Sequence, residues 1–145
     1  MCRKLRSVAS VPRIIAKKRA TKLVPYSARR RHNRRRVATE PEKHVHTILK
    51  EEGIPYTREK QISHCHVDVF IAPHTVIEIQ GCFWHKHDCQ EPEGGWPVAD
   101  VAVQTRDEAR FAFLRAQGYD VIPIWECDLR DHPRMIRNQL RKLKV

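Results

Sequence analysis

The chain has 145 residues, enough for one domain, and carries 28 Lys and Arg against 17 Asp and Glu, a formal net charge of +11. No apolar run approaches the roughly 18 residues of a membrane span and no signal-peptide core appears, so a membrane-embedded or secreted protein is not expected. The five cysteines are an odd number, two of them close to histidines, which suits metal ligands in a reducing cytosol better than a disulfide framework.

The charge is unevenly spread along the chain. Fourteen of the 28 basic residues lie in residues 1–36, and the first acidic residue is Glu40. Residues 1–38 therefore read as a basic arm, with a short helical piece near "RIIAKKRATKL", ahead of a mildly acidic body at residues 39–145. The run "RRRHNRRR" places Arg29, Arg30, Arg31, Arg34, Arg35 and Arg36 together. Such a run cannot bury its charges, and its planar guanidinium groups match phosphate oxygens and release counterions on binding. Nucleic-acid binding is the expectation. An organelle transit peptide ranks below it, because triple-arginine blocks are denser than such a peptide requires.

In the body, "TEPEKHVHTILKEEG" opens a helix. Thr39 is the expected N-cap, Glu42 closes a capping box, Val45, Ile48 and Leu49 form the apolar stripe, and Gly53 ends it. "PYTREKQI" reads as a short edge strand, and "HVDVFIAP" and "TVIEIQ" as a hairpin turning at Pro73-His74. Residues 90–104 read as a loop carrying Gly-Gly and two prolines. "TRDEARFAFLRAQG" reads as a helix capped by Thr105. "YDVIPIWE" is a strand, its Pro123 marking an irregular or edge position. "DHPRMIRNQLRKLKV" closes the chain as a helix capped by Asp131, with Ile136, Leu140 and Leu143 on one face. The order of helix, three strands, helix, strand and helix predicts a small mixed α/β or α+β sheet flanked by helices.

Two clusters of chemistry stand out. On "TVIEIQ" the alternation of side chains puts Glu78 and Gln80 on one face, opposite Ile77 and Ile79. Asp68 lies ten residues before Glu78. A strict two-residue turn would pair it with Ile79 and turn it away; a three-residue connection or a bulge pairs it with Glu78 or Gln80. The second register is expected, because acids and an amide on one face suit a hard divalent cation such as Mg2+, which favours phosphodiester hydrolysis. The D-x9-E-x-Q spacing resembles the PD-(D/E)XK nuclease signature, with Gln80 where a lysine is more usual.

The second cluster is Cys82, His87 and Cys89, with Cys127 downstream, a Cys3His set suited to structural zinc. "HCH" at residues 64–66 is a weaker rival, since adjacent residues of an extended chain point apart. Cys2 and Cys65 receive no role. His85 lies between the clusters, free to take a proton from an attacking water if His87 binds zinc. Spacing alone also allows the two histidines to exchange roles. Of Phe83 and Trp84, one is expected to pack and the other to contact nucleic acid.

"TEPE", "VDVFI", "GCFWHKHDC", "TRDEARFAFLRAQGYDV" and "IWEC" together resemble the very-short-patch repair (Vsr) endonucleases, from about Ser27 to the final helix. The resemblance implies a restriction-endonuclease-like core that nicks double-stranded DNA beside a T:G mismatch, using Mg2+, aromatic wedges and a separate structural zinc. By position it implies Asp68 as the metal-binding aspartate and the main-chain carbonyl of Ile79 as a second metal contact. It gives His85 as general base, Glu42 as a supporting glutamate, and Arg106-Asp107 as a supportive pair. It gives Cys82, His87, Cys89 and Cys127 as zinc ligands, and Phe83 and Trp84 as intercalating residues, with Trp96 as a third. The family usually carries a histidine where this chain has Gln80, and Glu78 with Gln80 restores an E-x-Q pair closer to restriction-type nucleases.

The reading is a monomeric Mg2+-dependent DNA endonuclease with structural zinc, cytoplasmic, nucleoid-associated or phage-encoded, working with accessory repair proteins. Its catalytic set is Asp68, Glu78, Gln80, His85 and Glu42. The alternatives are a catalytically inactive zinc-stapled DNA-binding module, a homing, restriction or phage nuclease without mismatch specificity, and an RNA-associated protein.

Overall fold

The computed structural model describes residues 37–144. The six arm arginines and the "RIIAKKRATKL" piece lie outside these residues, as does Cys2. Helix α1 (Glu40–Glu51) starts where the sequence places it. The Thr39 hydroxyl accepts from the Glu42 N–H at 3.5 Å, and the Glu42 carboxylate accepts from the Thr39 N–H at 3.3 Å. Past the helix end, Gly53 turns the chain with a φ of +67°, a conformation open to glycine because it lacks a Cβ.

Strands β1 (Thr57–Ile62), β2 (Cys65–Ile71), β3 (Thr75–Gln80) and β4 (Asp120–Trp125) form one sheet in the order β1-β2-β3-β4. The first three run antiparallel, and β4 runs parallel to β3. That last pairing needs a crossover, which helix α2 (Val98–Ala116) supplies. Pro123 is accommodated because β4 lies at the sheet edge. The β2–β3 register pairs Ile71 with Thr75 and Val69 with Ile77. Residues 72–74 thus form the three-residue connection, and the pairing of the two strands ends at Val69–Ile77, one step short of Asp68 and Glu78.

Two elements differ from the sequence reading. Helix α2 begins at Val98 with Pro97 in the N-cap position, and Thr105 lies inside it, its hydroxyl turned back to the Val101 carbonyl at 3.3 Å. The loop expected over residues 90–104 therefore ends at Pro97. Valines and alanines in "VADVAV" give no amphipathic stripe, since Val98 and Val101 are both exposed, so periodicity carried no signal there. Asp131 caps nothing: it ends a short helix α3 (Glu126–Asp131), and α4 (Pro133–Arg141) starts from His132. Six residues are too few for a helical period to declare itself.

The sheet is covered on both sides. Val45, Ile48 and Leu49 of α1, with Leu129, Ile136 and Leu140, pack on Val69, Ile71, Ile77 and Ile124. Leu114 of α2 packs on the other side against Phe70, Val76 and Val121, joined by Cys65. Each such fully buried side chain contributes about 1.5–3 kcal/mol. Cys65 is thus a core residue, and His64 lies against the Phe113 ring at 4.4 Å; "HCH" gathers no metal-binding group among the described residues. Arg137 and Arg141 of α4 reach Glu51 and Glu52 at 2.5–2.9 Å, tying the last helix to the end of α1.

Candidate active site and metal centre

The segment after β3 folds back on itself, with the His85 N–H on the Gly81 carbonyl and the His87 N–H on that of Cys82, both at 3.0 Å. Both histidines thereby line one cleft, and His87 also joins a cluster of thiols beside it.

On the inner side, Cys82, His87, Cys89 and Cys127 bring four ligand atoms within 4.8 Å of one another. His87 Nδ1 lies 3.0 Å from Cys89 Sγ and 3.4 Å from Cys127 Sγ. Its other nitrogen, Nε2, lies 3.1 Å from Asp88, so a proton held there leaves the Nδ1 lone pair aimed at the sulfurs. Tetrahedral zinc needs donor atoms about 3.5–3.8 Å apart, so this donor set fits with small adjustments. Burial, with the crowding of the other thiols, pushes Cys127 up to about 12, and burial likewise raises Cys89. Bare, the Cys89 and Cys127 thiols favour their protonated form, a state that a bound divalent cation reverses. Trp125 stacks on His87 at 4.0 Å, and Glu126 accepts the Cys82 N–H at 3.2 Å. The "IWEC" segment supports the centre with its neighbours as well as its cysteine.

On the outer side, His85 faces a cleft of about 360 Å³, lined by Gln80, His85, Asp107, Glu108, Phe111 and Trp125 among others. Gln104, Asp107, Glu108 and Phe111 recur at the helical spacing that puts them on one face of α2. From that face the Asp107 carboxylate meets His85 Nδ1 at 2.6 Å, the side chains 17 % and 28 % exposed. A carboxylate there fixes the proton on Nδ1 and leaves Nε2 as the basic atom. The centre of the Trp125 ring lies 6.4 Å from that of His85, close to perpendicular, so one indole contacts both histidines.

The other sequence candidates lie around this cleft. Gln80 lines it although only 2 % exposed. Asp68 accepts the Ile79 N–H at 2.9 Å. Glu78 is buried and bound to Arg110 of α2 at 2.7 Å, and Glu42 closes its capping box. Neither acid of the expected pair, nor Glu42, is among the cleft-lining residues. The face shared by His85 and Gln80 is completed instead by Asp107 and Glu108. Asp107 was visible only through the resemblance, and nothing in the sequence marked Arg110 as the partner of Glu78.

Phe83 and Trp84 are both exposed, at 55 % and 75 %, which corrects the expectation that one of them packs. Within the loop Cys82 is fully buried and His87 half-buried, while both aromatics are left outside. The Lys86 ammonium lies 4.5 Å from the Phe83 ring centre, 4.8 Å from that of Trp96 and 3.8 Å from Asp100. Lys86 thus joins two of the expected wedge residues to the start of α2.

A family model for the DNA mismatch endonuclease Vsr matches residues 25–91. The type II nicking enzyme V.XorIIP of Xanthomonas oryzae pv. oryzae is 33 % identical over 100 residues, covering 64 % of this chain and 74 % of the relative. The chain belongs to the Vsr endonuclease family. A second relative, the type II nicking enzyme V.NmeAIP of Neisseria meningitidis, is 29 % identical over 112 residues, 72 % of this chain and 79 % of that one. The fold is shared with the catalytic domain of the homing endonuclease I-Bth0305I. The two superpose with a TM-score of 0.54 at 24 % identity, covering 73 % of this chain and 94 % of the other. The mixed sheet flanked by helices is thus an architecture shared with that domain, and in this Vsr-family chain the loop after β3 carries Cys82, His87 and Cys89 of the thiol cluster together with His85. Among the described residues no helix is long and apolar enough to cross a membrane.

Proposed function

We propose that the chain is a Mg2+-dependent endonuclease that nicks one strand of double-stranded DNA, at a T:G mismatch or a defined site, leaving a 5′-phosphate and a 3′-hydroxyl. The observation that most supports this reading is the 2.6 Å pair of His85 and Asp107 at a cleft that Gln80 of β3 also lines. His85 Nε2 takes the proton of the attacking water, and Asp107 holds the ring and balances the imidazolium that forms. Asp68 and the Ile79 carbonyl hold the cation, which when bound activates the water and neutralises charge on the phosphate and the leaving oxygen. Gln80 orients the water or a phosphate oxygen from within the cleft.

Cys82, His87, Cys89 and Cys127 hold zinc in a structural role, fixing the loop that carries His85. Phe83, Trp84 and Trp96 form the surface that wedges into the duplex. The arm, residues 1–38, supplies sequence-independent phosphate contacts through its arginines. The protein acts in the cytoplasm, on its own or handed on to repair proteins.

The test is conversion of supercoiled plasmid to open circles, followed by cleavage mapping on matched and T:G-mismatched duplexes. Wild type with Mg2+ nicks, and Asp68→Ala and His85→Ala do not, while all three bind DNA alike. Equal binding with no nicking by wild type, across Mg2+ and Mn2+ and both duplex types, refutes the enzyme and favours a DNA-binding module.

A further inference from the structure

The sheet opens at Asp68. The β1–β2 register skips Glu59 and Asp68, and Glu59 has a φ of +48°, a left-handed conformation costing a non-glycine residue about 1–2 kcal/mol. On the other side, the β2–β3 pairing stops at Val69–Ile77, while β3 stays paired with β4 as far as Gln80–Trp125. Strand β2 therefore parts from β3 at Asp68, and there the aspartate takes the Ile79 N–H with its side chain.

One side chain from outside the sheet spans this opening. Arg110 of α2 donates from Nη2 to the His66 carbonyl on β2 and from Nη1 to the Glu78 carboxylate on β3. The Glu78 and Arg110 side chains are 3 % and 20 % exposed. Burial works against the guanidinium charge, but Glu78, and after it Cys65 and Asp68, hold Arg110 above its ordinary value. Its charge is thus permanent and lies within the field of Asp68.

We propose that Arg110 and Glu78 form a charge-balanced strut in the opening between β2 and β3, with Glu78 the counter-charge of Arg110 and not a ligand, so that Asp68 and the Ile79 carbonyl are left to the divalent cation. The inference rests on the proposed metal-dependent function and revises the role expected for Glu78 there. The electrostatic reason is simple. A lone buried guanidinium beside Asp68 would take that carboxylate for itself and exclude the cation. With Glu78 neutralising it, the Asp68 carboxylate remains attractive to Mg2+. Arg110 and Glu78 are positioning residues: they touch neither water nor phosphate.

The test is a double-mutant cycle of Glu78→Gln and Arg110→Gln, read by Mn2+ binding in electron paramagnetic resonance, thermal melting and plasmid nicking. Glu78→Gln leaves the guanidinium uncompensated and should weaken Mn2+ binding roughly tenfold or more. The double variant restores the net charge and should return to within about threefold of wild type. Arg110→Gln alone takes the guanidinium away from the buried Glu78 carboxylate, so its melting temperature falls while Mn2+ binding is kept. Arg110→Lys, which preserves charge but not the fork, keeps Mn2+ affinity and loses melting temperature. If Glu78 is itself a ligand, the double variant binds Mn2+ no better than Glu78→Gln, and the strut is refuted. Should Glu78→Gln fail to fold, the double variant against wild type decides the same question. Wild type that binds no Mn2+ also overturns the strut. Wild type that binds Mn2+ and does not nick refutes the proposed activity, while the binding and melting cycles still decide the strut.

Discussion

Replacing Asp107 by Asn isolates the contribution of the histidine's carboxylate partner. The pair is short, at 2.6 Å, and both side chains are partly shielded. Asparagine keeps the size but removes the charge, and its amide can present either a donor or an acceptor to Nδ1. A charge-assisted hydrogen bond of this kind contributes about 1.5–3 kcal/mol. On the proposed mechanism positive charge develops on His85 as the water is deprotonated, so most of that difference falls on the transition state. At about 1.4 kcal/mol per factor of ten, Asp107→Asn should slow nicking roughly 10- to 150-fold. Plasmid affinity should be unchanged. His85→Ala removes the base itself and should cost about 10²–10⁴-fold. The double variant is the decisive case: a carboxylate acting only through the histidine has nothing left to do once His85 is gone, so Asp107→Asn/His85→Ala should be no slower than His85→Ala alone. Single-turnover nicking at saturating enzyme measures all four proteins. An Asp107→Asn variant with full activity, or losses that multiply in the double variant, would falsify the coupling of Asp107 to His85.

Metal analysis of the purified protein should find about one tightly held zinc per chain, absent from Cys82→Ser, and chelation should lower the melting temperature; folded protein without zinc refutes the ligand set. Lys86→Met keeps the aliphatic stem and removes the cation between Phe83 and Trp96. Two such cation–ring interactions at about 0.5–1 kcal/mol each should raise the KM for DNA roughly 5- to 30-fold with kcat little changed; unaltered steady-state kinetics would show that the aromatics hold their places without it. Glu52 is held down to about 2 from an ordinary 4.5 by hydrogen bonds from Arg141 and then Arg137. Its folded value is the lower one, so its contribution is complete above about 4.5 and is lost as pH falls toward 2. Glu52→Gln should therefore melt earlier than wild type at pH 7 and match it near pH 2; a gap that widens on acidification contradicts the sign. Deleting residues 1–36 should weaken DNA binding and flatten its dependence on salt, the log–log slope falling by about 0.9 for each phosphate the arm no longer neutralises. A truncated chain that cannot fold would make the arm structural.

The sequence by itself determined the parts whose signals are local. Thr39 and Glu42 announce the start of α1 because a capping box needs only four consecutive residues. Alternation along "TVIEIQ" identifies a strand for the same reason, and three ligands of the thiol cluster lie within eight positions, so their gathering needs little more than one turn of loop. Cys127 could be associated with them because the motif places it at the end of a core strand.

What only the tertiary structure decided are the partnerships across elements. Asp107 reaches His85 because α2, begun well before its capping pattern suggested, lays one face along the cleft. Glu78 looked like a metal ligand while its neighbours were unknown; Arg110, 32 residues later, gives it a different partner. The departure of β2 from β3 at Asp68 shows only in the pairing of the strands, which ends at Val69–Ile77. Long-range electrostatics and packing depend on where a helix comes to rest against a sheet, and composition and spacing carry no record of that docking.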